Sequence, residues 1–129
     1  YKLKDGSIVS TLAPSRGWTF AEAAASVLGV GSGTSIGLLG KALIENGHAL
    51  TSAQIKEIDV ATDRKENTGM RTDGWGNFVF VENEDGSVSV VNVYRCDGRW
   101  GRGGRSLGHA LVWLRGNRLV VGNSVASNL

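Results

Sequence analysis

The spacing of apolar residues changes once along this chain, near Asn67, and the change separates a helical half from a strand half. In the first half the repeat lies close to 3.6 residues. Trp18-Thr19-Phe20-Ala21-Glu22 reads as a helix start, because Thr19 can accept from the orphan amides of a first turn and Glu22, three residues on, completes a capping box. Ala23 to Leu28 propagates that helix and Gly29 ends it. From Thr34 to Asn46, Ile36, Leu39, Leu43 and Ile44 form a helical stripe closed by Asn46-Gly47. Gly37 and Gly40 within it predict close packing against another helix. Thr51 or Ser52 caps a third helical stretch that turns Ile55 and Ile58 inward, before the polar run Asp63 to Thr68. Ahead of the helices, Tyr1 to Ser10 alternates weakly around Asp5-Gly6 and reads as a strand or short hairpin that ends by Pro14.

Beyond Asn67 the period falls to two. Phe78 to Val81 and Val88 to Tyr94 flank Asn83-Glu84-Asp85-Gly86, a hairpin signal, since Asp-Gly tolerates the positive φ of a tight turn. Leu111 to Trp113 and Leu119 to Val121 add two short apolar runs. The expected fold is α+β: helices followed by a small antiparallel sheet, in a single domain over residues 1–129.

Length and composition agree with one domain: 129 residues, 41% hydrophobic and 20% charged. No apolar stretch approaches the roughly 20 residues that span a bilayer, and no basic-then-apolar leader precedes Tyr1, so neither a membrane segment nor an export signal is expected. Cys96 is the single cysteine, which excludes an internal disulfide and a cysteine-based zinc site. Charge alters the picture more. The net formal charge is +2, yet Tyr1 to Tyr94 carries 8 basic and 11 acidic side chains and Arg95 to Leu129 carries 6 and 1. From Arg95 to Arg118 there are six Arg, six Gly and two Trp, no Lys, and one acid, Asp97.

Candidate chemistry is sparse. Gly33-Thr34-Ser35-Ile36-Gly37 matches a hydrolase nucleophile elbow, but a helical segment precedes it where that turn needs a strand. Gly29, Gly31 and Gly33 could hold a phosphate at a helix start, again without the preceding strand of a phosphate-binding fingerprint. His48 and His109 lack metal-ligand spacing. Trp75, in Asp73-Gly74-Trp75-Gly76-Asn77, reads as a core anchor rather than a stacking platform. Arg99-Trp100-Gly101-Arg102-Gly103-Gly104-Arg105 resembles an Arg-Gly-Gly segment of the kind that binds RNA with steep salt dependence, although it is short and lies between two predicted strands.

Apolar anchors alternate with free positions in the same stretch: Arg99-Trp100, Leu107, Val112-Trp113 and Gly116-Asn117-Arg118-Leu119-Val120-Val121 read as structural, and the residues between them follow no period. This arrangement resembles the variable region of proteins diversified by diversity-generating retroelements, whose template opens on Arg-Trp, continues rich in Asn, and closes on Gly-Asn-Arg. In register, Arg99, Trp100, Leu107, Val112, Trp113, Gly116, Asn117 and Arg118 match the template. Gly101, Gly103, Arg105, Gly108, His109, Ala110, Leu111 and Leu114 stand where the template has Asn or Asp, and an AAC codon altered at its adenines yields such residues and never a stop. Arg102, Gly104, Ser106 and Arg115 depart from the template, and Tyr94 and Cys96 extend the varied set upstream, giving a variable region of about 94–118.

The resemblance implies a C-type lectin-like fold of the formylglycine-generating-enzyme type, in which a small sheet displays varied side chains. Trp100, Trp113 and the Leu119–Val121 strand would then bury enough apolar surface, at about 25 cal/mol per Å², to hold the scaffold whatever the exposed positions become. It also implies a binding protein that is not an enzyme and uses no cofactor. Its ligand is an unknown protein or surface group, and a reverse transcriptase system diversifies its gene. Arg105 with neighbouring Arg102 would grip a carboxylate or phosphate, His109 would supply a pH-sensitive hydrogen bond, and Leu111 and Leu114 would give apolar contact. No carboxylate cluster near the segment suggests calcium. The competing expectation is a nucleic-acid or anion-binding protein that uses the Arg/Gly-rich segment 95–118.

Overall fold

The computed structural model describes residues 1–110, 112–113 and 115–123, with Trp113 described by its backbone only. The helical half follows its local signals closely. Thr19 caps α1 (Phe20–Leu28) in a complete capping box with Glu22, and Gly29 closes the helix in the left-handed conformation at φ 71°. α2 (Ile36–Glu45) starts one turn position later than expected, because Ser35 rather than Thr34 accepts from the Leu38 amide. α3 (Ser52–Asp63) is capped by Thr51, with Gln54 completing a second capping box. The N-terminal stretch is a tight turn around Gly6, bridged between Lys2 and Ile8, that leads into β1 (Val9–Leu12).

Two sheets form among the described residues. In the larger, β1, β7 (Arg118–Gly122), β3 (Asn77–Glu82), β4 (Val88–Cys96) and β5 (Arg99–Ser106) lie in that order. In the smaller, β2 (Trp18–Thr19) pairs with β6 (Val112–Trp113), Trp18 opposite Trp113. The main sheet is mixed, not antiparallel as the pattern suggested: β7 runs parallel to β3, with Asn77 opposite Arg118. The β4–β5 hairpin fills one side of β3, so the returning chain slots β7 into the other side, between β3 and β1. β3 is then central and buried along Asn77 to Val81, which is why it reads as a continuous apolar run.

The sheet separates two cores. On one face, α1 and α2 place Phe20, Leu39 and Leu43 against Phe78, Phe80, Val90, Leu119 and Val121, with the Phe20 and Phe78 rings 5.3 Å apart. On the other, α3 lays Ile55 and Ile58 over Val79, Val81, Val93 and Val120. Gly40 of α2 faces Val88 of β4, at ordinary contact distance for a Cβ placed there, and Gly37 faces open space, so neither glycine serves a helix–helix approach. β5 went unread because six Arg and Gly residues in eight positions mask its period. Its one local signal is Asp97-Gly98, whose φ values of 52° and 76° form the two-residue turn joining Cys96 to Arg99.

Candidate functional site

The β4–β5 register sorts the segment from Tyr94 to Ser106 by face. Tyr94 lies opposite Gly101, Asn92 opposite Gly103, Val90 opposite Arg105 and Cys96 opposite Arg99, all on the face that α1 and α2 cover as far as Val90. Beyond that cover Tyr94, Gly101 and Gly103 are half-buried, and Cys96 and Arg105 are exposed. Five positions expected to vary, Tyr94, Cys96, Gly101, Gly103 and Arg105, thus share one face of one hairpin. Gly108, His109 and Ala110 continue from it as an exposed loop beside Ile36 of α2. Leu111 and Leu114 lie outside the described residues.

The intervening residues point the other way, onto α3. Arg102 donates to Asp59 Oδ2 at 3.1 Å and to Ser52 Oγ at 3.2 Å. Trp100 Nε1 donates to Asp63 Oδ1 at 3.1 Å, and Arg95 reaches the same oxygen at 3.3 Å while lying 5.4 Å from the Trp100 ring centre. Asp59 is 5% exposed. Burial pushes its carboxyl above the usual range, against the opposing hydrogen bond and charge of Arg102, and its Oδ1 has no hydrogen-bond partner among the described residues. Asp59 and Asp63 sit one helical turn apart and so share a face of α3. This clamp was not read from the sequence, where four-residue acid spacing on a helix means nothing without its partner strand.

Several expectations need correcting. Arg102 cannot assist Arg105 in gripping an anion, because strand alternation sends the two to opposite faces and Asp59 holds Arg102. Trp75 is no core anchor: it is 42% exposed, its ring lying flat on Gly116 with Arg71 5.9 Å above. Val112 is 48% exposed and lies opposite Thr19 in the β2–β6 pair, so it is not a buried anchor. Leu107 is buried among the α1–α2 core residues and Leu119 to Val121 are fully buried, as the anchor pattern requires. His48 is half-buried, its Nδ1 2.7 Å from the Gly122 carbonyl oxygen, and ties the α2–α3 loop to the end of β7.

The local chemistry of the exposed face is that of a shallow floor. Glycine at 101 lets the Tyr94 ring lie directly over the β5 backbone, where a Cβ would overlap it. Asn92 covers Gly76 in the same way, with its Oδ1 buried and unpartnered among the described residues. Of the six arginines, Arg95 and Arg102 are neutralised by α3. Arg99, Arg105, Arg115 and Arg118 form no ion pair among the described residues; Arg118 donates to the Arg115 and Asn117 carbonyls and Arg105 to that of Gly104. No group of three or more His, Cys, Asp or Glu converges among the described residues.

No protein-family model, curated protein or solved structure matches this chain. The α+β architecture and the residue geometry therefore carry the functional argument alone. Among the described residues no helix is long and apolar enough to cross a membrane.

Proposed function

We propose that this chain is a non-catalytic ligand-recognition protein with a C-type lectin-like scaffold of the formylglycine-generating-enzyme type, its surface residues diversified by retroelement mutagenesis. One observation supports this most: positions that resemble varied template codons recur at the period of a strand and so fall on one face of the hairpin. Gly101, Gly103 and Arg105 share a face with Tyr94 and Cys96, while Trp100 and Arg102 on the opposite face are committed to Asp63 and Asp59. A device that must change its contacts without unfolding needs that separation. In this variant the face offers the Tyr94 ring, the Arg105 guanidinium and the Gly108–Ala110 loop, which suits an acidic group on a protein or surface ligand.

The decisive experiment is sequencing the DNA around the coding region. An imperfect repeat of the codons for residues 94–118 that differs only at adenines, beside a reverse transcriptase gene, is the expected result. Its absence would sink the retroelement reading. The competing reading, a nucleic-acid or anion binder, draws on four arginines without ion pairs rather than six, and predicts retained arginines with steep loss of binding in salt.

A further inference from the structure

A cavity lies on the far side of the sheet from the Tyr94–Gly101 face. It is a cleft of about 590 Å³ between α3 and the N-terminal turn, within the range of small-molecule sites. Its α3 wall is one helical stripe, Ala53, Lys56, Glu57, Val60, Ala61 and Arg64, the face opposite the Ile55–Ile58 core stripe. Residues Tyr1 to Lys4 form the other wall. Val60, 41% exposed, stands between the walls as an uncovered apolar side chain, and Leu3 closes the base at 3% exposure.

The charges around this apolar floor are unbalanced. Glu57 accepts the Lys4 amide at 2.8 Å and Glu66 accepts the Tyr1 hydroxyl at 3.0 Å, so both acids fasten the N-terminal turn, Glu57 to the middle of α3 and Glu66 to the segment after it. Lys2, Lys4, Lys56 and Arg64 also line the cleft, and none of the four forms an ion pair among the described residues. Four cations against two acids stand out in a half of the chain that is acidic as a whole. Such a rim favours an anionic head, and the floor favours an apolar body.

We propose that this cleft binds a small amphiphilic anion, with its apolar body over Val60 and its carboxylate held at one end of that stripe by Lys56 or Arg64. Those two cations sit two helical turns apart and bracket Val60 on the same stripe.

The test is calorimetric titration of the whole chain with decanoate below its micelle concentration, alongside decanol and decylammonium. Saturable decanoate binding is expected, weakened about tenfold by the double charge reversal Lys56→Glu with Arg64→Glu, which removes one strong charge-assisted contact or more. Val60→Asp should abolish it independently. Both variants alter exposed side chains, so unchanged thermal unfolding checks that the fold is kept. Absence of decanoate binding, equal binding of decylammonium, or an affinity indifferent to the charge reversal would each overturn the proposal. So would capture of an acidic peptide with no affinity for decanoate.

Discussion

At the scale of single residues, the pairing of Asp59 with Arg102 fastens β5 to α3. A buried carboxylate with one oxygen unpartnered is tolerable only while Arg102 stays on it. Arg102→Ala is expected to lower stability by about 1–3 kcal/mol by chemical denaturation, the lower end applying because a third of the guanidinium side chain already meets water. The pH dependence has a definite sign. Burial raises the Asp59 pKa above its value in the unfolded chain, so between those two values the folded state binds the extra proton. The Asp59 contribution therefore favours the fold below the unfolded value and is lost as pH rises through the raised folded one. Asp59→Asn removes that component; urea midpoints of the two proteins measured against pH should differ in slope across this window, and identical slopes would refute the assignment. Gly101 makes the opposite point. A Cβ there meets the far end of the Tyr94 ring, which can swing away, so Gly101→Ala should reorient Tyr94 in a crystal structure with little change in Tm. Gly122 has no such freedom, because a Cβ would strike the Gly47 carbonyl, and Gly122→Ala should cost about 2 kcal/mol or more.

At the scale of elements, helices and strands became legible to different degrees. α1 is announced by its capping box and α3 by a cap at Thr51 or Ser52, contacts within four residues that need no tertiary partner. Thr19→Ala should cost about 1 kcal/mol and fray α1 first, which amide hydrogen exchange would register at Ala21 to Ala23. Backbone hydrogen bonds from Thr19 hold the Glu22 carboxyl below the usual range, so this box helps the fold near neutrality and weakens as pH falls. β5 is the contrary case. Arg-Gly-Gly chemistry reads as a loop, and the strand exists because β4 offers it a full ladder and α3 offers Arg102 and Trp100 their acids. That Gly101, Gly103 and Arg105 fall on one face with Tyr94 and Cys96 appears only once that ladder is formed.

At the scale of the molecule, the proposed function puts recognition on one face of the β4–β5 hairpin, while the other face is fastened to α3. Replacing Gly103, Arg105 and His109 together is expected to shift Tm by no more than a few degrees, whereas Trp100→Ala alone should lower it further, because Trp100 packs on the α3 core and donates to Asp63. A fold that collapsed on changing the exposed set, with Trp100→Ala tolerated, would reverse the roles assigned here.

By itself the sequence determined the three helices, the β3–β4 hairpin, the anchors Leu107 and Leu119 to Val121, and the confinement of excess positive charge to the last third of the chain. Each rests on caps, turn residues or burial patterns that act over a few positions. Tertiary structure alone decided that β7 enters parallel to β3, that Trp75 lies on the surface, and that two of six arginines serve the scaffold. Those outcomes depend on which elements meet across the sheet, and a glycine or an arginine looks the same in the chain whether an aspartate of α3 or open water awaits it.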